Sequence, residues 1–312
     1  MKMACHKCAE KAVIALQHGE LCKNHFLSYF EEKVFTTITK HDLLNRKDTI
    51  GIAASGGKDS LTVLYLTKKF LKKNQFPSHF FALIIDEGIA GYREHTLKDL
   101  ETFCKKQQIE LKKVSFREAW GVTLDEAHPK INKDTKKKPC TICGVWRRSL
   151  LNRHAREAGA TKLVTGHNLD DEAQAILMNM FKANVGLAAS LGPKSGIEER
   201  EGFVPRVKPL YFCTEKETRL YAFLKGFTVN FAECPNAREG FRMAIRDFLN
   251  DFEGRYKGTK QGIVNSFLEI LPLLKEKARQ DTAHPQACER CGEPARQMVC
   301  QACALQEVLH AP

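Results

Sequence analysis

The stretch Ile50-Gly51-Ile52-Ala53-Ala54-Ser55-Gly56-Gly57-Lys58-Asp59-Ser60 carries the residue types of a phosphate grip. A short apolar run ends in small residues, a Ser-Gly-Gly-Lys-Asp-Ser turn follows, and a helical pattern then sets in at Leu61, Val63, Leu64 and Leu66. Strand, tight turn and helix in that order leave backbone N–H groups above a helix N-terminus, where unpaired amides and the helix dipole both favour an anion. The glycines let the backbone approach the ligand, and Lys58 can neutralise added charge. A Walker loop would need Gly at position 52 and Ser or Thr after the lysine; here Ile52 and Asp59 occupy those places.

The cysteines form a second set. Cys5-x-x-Cys8 with Cys22-x-x-His25, and Cys288-x-x-Cys291 with Cys300-x-x-Cys303, are each two close pairs of soft or borderline ligands. Two such pairs complete a tetrahedron, so each module is expected to hold one structural zinc ion with no open coordination position. Neither module has enough apolar residues to fold alone, and the metal would supply the difference. A third pair, Cys140-Thr141-Ile142-Cys143, lies between the basic stretch Lys130–Lys138 and a helix expected from Gly144 that bears Arg147 and Arg148. Those cations and the helix N-terminus are expected to favour thiolates there. Cys234, in Ala232-Glu233-Cys234-Pro235-Asn236, follows an expected apolar strand. Three thiolates would hold a 4Fe–4S cluster and leave one iron open, but spacing alone equally allows a redox pair or half of another zinc site. Cys104 and Cys213 stand alone and read as packing.

Positioning these groups requires a regular scaffold. Strand patterns lie at residues 49–53, 80–85, 109–114, 162–165 and 228–231, and helical patterns at 60–73, 92–107, 144–158, 170–181 and 215–223. The alternation predicts an α/β fold with a parallel sheet covered on both faces. Ligands then sit at the carboxyl ends of the strands, where Ser55, Asp86 and Gly166 fall. Residues 1–28 are expected to be the first cysteine module, 29–250 the catalytic domain, and 251–312 a helical segment, broken or restarted at Pro272, with the second module. A net charge of +12 points to a polyanionic partner. No run approaches the roughly 20 apolar residues of a membrane span, and Met1–His6 has no signal-peptide core, so a cytoplasmic, metal-bearing protein without a membrane partner is expected.

Single polar residues have their own readings. Asp86 ends a buried strand, where a carboxylate needs a task or a partner. Asp170 and Asp171 open a helix; capping accounts for one of them, and Mg²⁺ or nucleotide contact for the other. Arg147, one turn after Cys143, can reach nucleotide phosphates. Arg206, Lys208, Arg238, Arg242 and Arg246 are candidates for RNA backbone contacts, although each alone is more simply a solvated charge. His167 is left out of the chemistry.

Ser55–Ser60 resembles the SGGxDS signature of PP-loop ATP pyrophosphatases, which implies cleavage of ATP between the α- and β-phosphates and activation of a carbonyl oxygen as its adenylate. The order of an N-terminal set of three cysteines and a histidine, SGGKDS, CTIC, a lone Cys before Pro and a four-cysteine tail resembles the TtuA-type tRNA 2-thiouridine synthetases over almost the whole chain. Ile85–Ile89, Gly166–Glu172 and Pro205–Leu210 agree with it. The resemblance implies ATP-dependent sulfur insertion into a wobble or T-loop tRNA uridine. Nucleotide and Mg²⁺ would be held around Ala54, Ser55, Gly56, Gly57, Lys58, Asp59 and Ser60, with Ile85, Asp86, Arg147, Gly166 and Asp171. It further implies a cluster on Cys140, Cys143 and Cys234, catalytic roles for these with Lys58 and Asp59, a ubiquitin-like thiocarboxylate protein or sulfide as donor, and a possible homodimer. Two other readings are persulfide chemistry without a cluster, and a zinc-dependent RNA-binding protein with a vestigial nucleotide loop; intact Lys58, Asp59 and Ser60 speak against the second.

Overall fold

A computed structural model of the chain describes residues 4–77, 79–198, 200–229, 234–237, 240–281 and 286–310. The first elements are an antiparallel hairpin, β1 (Ala12–Leu16) and β2 (Gly19–Cys22), and helix α1 (Lys23–Lys40). The central region then alternates: β3 (Ile50–Ala53), α2 (Lys58–Lys73), β4 (Phe80–Asp86), α3 (Arg93–Gln107), β5 (Glu110–Ser115), α4 (Phe116–Trp120), α5 (Leu124–Thr135), α6 (Pro139–Glu157), β6 (Lys162–Val164), α7 (Leu169–Phe181), α8 (Val185–Ala188), β7 (Arg206–Val207) and α9 (Glu215–Leu224). Helices α10 (Phe241–Arg255) and α11 (Thr259–Asp281) follow, then a small hairpin, β8 (Gln286–Ala287) and β9 (Pro294–Ala295), and α12 (Gln301–His310). No helix among the described residues is long and apolar enough to cross a membrane.

The five central strands are parallel in the order β5-β4-β3-β6-β7. The chain first builds outward from β3 to one side and then returns to its other side. That places the switch point between β3 and β6, where an open α/β sheet forms its ligand crevice. Alternate side chains serve opposite faces: Ala82 and Ile84 pack with α1, α2 and the cysteine hairpin, while Phe81 and Leu83 pack with α6 through Ala155. Burial on both faces explains the nearly unbroken apolar runs of these strands.

Both cysteine modules are fused to this body. Cys5, Leu21 and Cys22 share one core with Phe26, Phe30 and strand residues Ile50 and Ile52. Cys22 is the N-cap of α1, which runs straight through the boundary expected at residues 28 and 29. At the other end, α12 lays Ala302, Leu305 and Leu309 against Trp146 and Leu150 of α6. Polar bonds reinforce the contact: Trp146 Nε1 donates to Ala302 O at 3.2 Å, Asn152 Nδ2 to Glu293 Oε2 at 2.9 Å, and Arg156 pairs with Glu293.

Three expectations differ from the fold. No strand forms at Thr228 and Val229, which run as irregular chain with Val229 packed on the core; Asn230 and Phe231 lie outside the described residues. The fifth strand is instead β7, two residues between Pro205 and Pro209, too short to show a period. Helix α6 begins at Pro139, not Gly144, because proline is favourable in a first helical turn, so Cys140 and Cys143 are helical residues. Pro272 lies inside α11, which continues through it.

Candidate active site and metal centres

The phosphate loop leaves the sheet at Ala54, whose N–H still bonds Leu83 O at 2.9 Å. Gly56 has φ +82°, and any Cβ there would strike the carbonyl of Thr96. Gly57 caps α2 without a side-chain bond, so the first-turn amides have no side-chain cap. Ser60 Oγ donates to Gly57 O at 2.9 Å and steadies the turn. Lys58 Nζ lies 2.9 Å from Asp59 Oδ2 and 3.0 Å from Glu215 Oε1. Burial opposes the Lys58 charge, but the two carboxylates win and hold its pKa above the usual lysine value. At Asp59 burial outweighs the pull of Lys58, so its carboxyl lies above the ordinary range.

The second loop of the crevice leans on the first. A Cβ on Gly166 would come within 3.0 Å of the Asp59 carbonyl carbon, so only glycine lets the loops approach this closely. Asn168 ties them together: its Nδ2 donates to Asp59 Oδ1 at 3.2 Å, while its Oδ1 accepts from Asp170 N at 3.0 Å and Asp171 N at 3.2 Å. Asn168 is therefore the N-cap of α7, a role the sequence reading assigned to an aspartate. Asp171 completes the capping box and pairs with Arg242 Nη2 at 2.7 Å. Asp170 turns away, with Oδ2 accepting from Glu215 N at 2.7 Å and Oδ1 paired with buried Lys260. A carboxylate so engaged is a structural group, which leaves Asp171 as the one of the two carboxylates available to Mg²⁺ or nucleotide.

At the end of β4, Asp86 Oδ1 accepts from Gly88 N at 2.8 Å and so shapes its own turn. The neighbouring Glu87 is buried and bonds Arg93 Nη2 at 2.6 Å. Arg93 in turn donates to Ile85 O at 2.6 Å and to Ser55 O at 3.0 Å, and Glu87 Oε1 lies 3.4 Å from Arg147 Nη1. One chain of charges thus joins the phosphate loop to the helix that carries the cysteine pair. Glu87, Arg93, Asn168 and Glu215 had no assigned role in the sequence reading. Glu87 had the signal of a second acid at a buried strand end, whereas Arg93 and Glu215 had none.

Cys140, Cys143 and Cys234 come together on the far side of Arg147. Cys140 Sγ donates to Asn236 O at 3.0 Å, which brings the segment after Cys234 onto the first turn of α6. Cys143 and Cys234 sit against one apolar cluster with Ile85, Ile89 and Ile142. Burial pushes the free Cys143 thiol up to about 12 against the pull of Arg147, with Glu87, Cys234 and Cys140 adding to the rise. Cys234 is also raised by burial. At Cys143 burial outweighs the stabilisation of thiolate expected from the neighbouring cations. Of the basic residues read as RNA contacts, Lys208 pairs with Glu172 at 2.7 Å and Arg242 with Asp171, so neither is a free cation; Arg246 is also engaged, and Arg238 lies outside the described residues.

The terminal modules are tighter. In each of the sets Cys5, Cys8, Cys22, His25 and Cys288, Cys291, Cys300, Cys303, the ligand atoms all lie within 4.8 Å of one another. Cys8 and Cys22 Sγ are 3.7 Å apart, as are Cys291 and Cys300 Sγ. A tetrahedron with Zn–S bonds of about 2.3 Å has an edge of about 3.8 Å, so both sets fit one zinc ion. Burial raises the Cys5 and Cys288 thiols, but several backbone hydrogen bonds outweigh it and bring each down to about 6, whereas Cys22 is pushed up to about 11 and Cys291 and Cys303 are also raised. The ligand atoms of the central trio do not close to this spacing.

A family model described as a PP-loop domain matches residues 27–251. The "Cytoplasmic tRNA 2-thiolation protein 1" of Danio rerio is 33% identical over 313 residues, spanning 99% of this chain and 89% of the relative. The "tRNA 2-thiolation protein NcsA" of Haloferax volcanii is 34% identical over 324 residues, 99% of this chain and 100% of the relative. Among solved structures, the U34-tRNA thiolase NcsA from Methanococcus maripaludis, described with its 4Fe–4S cluster, superposes with a TM-score of 0.82 at 30% identity, covering 100% of this chain and 98% of that one. A loop built for phosphate, a trio of cysteines joined to it by charge, and relatives that match from end to end place the chain in the PP-loop family of tRNA 2-thiolation proteins.

Proposed function

We propose that the chain is an ATP-dependent tRNA 2-sulfurtransferase, acting in the cytoplasm, that replaces the C2 oxygen of a tRNA uridine with sulfur. The wobble uridine is the target favoured by the U34 thiolase likeness. The carrying observation is a connection between two chemistries: the Ser55–Ser60 loop is linked through Arg93 and Glu87 to Arg147, on the helix that bears Cys140 and Cys143.

The amides at the N-terminus of α2 and the Lys58 ammonium would hold the triphosphate of ATP, with Mg²⁺ beside Asp59 and Asp171. The uridine C2 oxygen attacks the α-phosphorus, the bond to the β-phosphate oxygen breaks, and pyrophosphate leaves. Lys58 and the loop amides stabilise the charge gathering on that leaving group. Arg147, one helical turn from Cys143 and linked to the loop through Glu87 and Arg93, would hold the α-phosphate in line. Sulfide then adds at C2 and AMP departs with the original oxygen, so atoms balance and no electron is transferred. Cys140, Cys143 and Cys234 would hold a 4Fe–4S cluster, which when bound supplies an iron without a protein ligand on which sulfide can be carried. Chemistry on a base edge requires the base to leave its stack, which suits a loop nucleotide. The two terminal modules would each hold a structural zinc ion, and the sulfur would come from sulfide or a protein thiocarboxylate.

The test is nucleoside mass spectrometry of tRNA incubated with ATP, sulfide and anaerobically reconstituted protein, with pyrophosphate release measured in parallel. Cys234→Ser is expected to abolish 2-thiouridine while leaving ATP binding intact. Undiminished product would remove the trio from the reaction, and tRNA binding without any pyrophosphate release would favour the vestigial-loop reading.

A further inference from the structure

Two cations beside α6 have no task in the chemistry above. Asn152 fastens residues 202–204 to the helix, donating to Gly202 O at 2.8 Å and accepting from Val204 N at 3.0 Å. One turn toward the N-terminus of α6 lies Arg148. Two residues along the strand from Val204 lies Arg206, paired in register with Leu163. Both steps climb toward the carboxyl ends of the strands, one by about 6 Å and the other by about 6.6 Å, so the two residues leave the backbone at about one level.

Among the described residues, neither is held in an ion pair. Arg147, Arg156, Lys208 and Arg242 each have a carboxylate partner, whereas among the described residues Arg148 and Arg206 have none. Burial, then the neighbouring Arg148 charge, brings Arg206 down to about 10; burial and Arg147 lower Arg148. Solvent nevertheless reaches both side chains, as it would in a cleft. Arg148 folds back over Gly144, where even a Cβ would sit 3.2 Å from Nη1, so the glycine leaves room for the guanidinium to lie against the helix. Like charges held near one another without an anion are unfavourable until a ligand supplies one.

We infer that Arg148 and Arg206 form an oxyanion subsite for a backbone phosphate of the RNA substrate. The assignment rests on the proposed function. A guanidinium fork matches phosphate oxygens in pairs, and two forks at one level can take a single phosphodiester. The triphosphate of ATP has its own amides and Lys58 on the β3 loop, two strand spacings, about 9–10 Å, across the sheet from β7.

The test uses the full chain carrying Arg148→Met, Arg206→Met or both, with a tRNA transcript titrated between 50 and 200 mM salt, calorimetric ATP binding and thermal melts. The double variant is expected to weaken tRNA binding at least about tenfold and to make the salt dependence shallower by about 0.7–1 in log–log slope. ATP affinity stays within about twofold, and the melting temperature is unchanged or higher because a repulsion has been removed. Unchanged tRNA affinity and slope overturn the assignment, an equal loss of ATP affinity makes the nucleotide the occupant, and a lower melting temperature makes the pair structural. A parent chain that binds no tRNA would instead overturn the proposed function, and this subsite with it.

Discussion

Removing the charge of Lys260 tests whether Asp170 belongs to the framework or to the chemistry. The two side chains are each 9% exposed, and the Lys260 ammonium is further held by Asn250 Oδ1 at 2.6 Å. With Lys260→Met, Asp170 keeps only the Glu215 N–H at 2.7 Å for a carboxylate that water barely reaches. Breaking one side of a buried pair costs about 3–5 kcal/mol. At about 2.1 cal/mol/K per residue, unfolding a chain of 312 residues carries about 0.65 kcal/mol/K, so a loss of about 4 kcal/mol lowers the melting temperature by about 6 °C. Asp170→Asn should fall by a similar amount, and the double variant should recover most of the loss because no unpaired charge remains. ATP affinity, measured by calorimetry below the transition, should move by less than about threefold. A variant that melts like the parent but fails to bind Mg-ATP would refute the reasoning and place Asp170 in the nucleotide site.

Other outcomes follow from the same geometry. Metal analysis of protein handled without oxygen should find two zinc ions per chain beyond the iron; a strong chelator should lower the melting temperature, and iron-free, zinc-replete protein should melt close to the loaded form. Cys22→Ala should be the more damaging of the terminal ligand changes, because the same residue caps α1 and lies in the main core. The Lys58 pKa is raised, so its ion pairs are fully formed below the ordinary value of 10.5 and are lost only as pH climbs through the higher folded value. ATP affinity should therefore show no Lys58-dependent decline between pH 7 and 9, and a decline there that Lys58→Ala abolishes would contradict this. Glu87→Gln should reduce thiolation more than ATP binding, since it loosens Arg147 while leaving the loop amides in place; equal loss of both would mean Glu87 serves only the fold.

What could be read from the chain beforehand was whatever is local. The Ser55–Ser60 loop is a contiguous strand, turn and helix start, and the terminal modules announce themselves because two residues between ligands fit a single turn. The parallel sheet followed from alternating patterns, except at β7, where two residues between prolines carry no period. The approach of Cys234 to Cys140 was implied by the family resemblance and not by spacing; the bond from Cys140 to Asn236, 96 residues away, is what brings the two segments together. Asp170 and Asp171 looked alike as neighbours in an acidic run; Lys260, supplied by a helix 90 residues later, is what separates them. The cap on α7 went to Asn168 because its amide can serve two N–H groups and Asp59 together, and a carboxylate has no donor for the last of these.

The clasp between the C-terminal hairpin and α6 complicates one obvious experiment. A chain cut before Cys288 would retain the whole nucleotide loop and all three central cysteines, yet Trp146, Asn152 and Arg156 would each lose the partner that steadies them. Absent product from such a truncation would report a slackened thiol-bearing helix as readily as a missing RNA contact, so deletion of the tail is a poor measure of what the tail recognises.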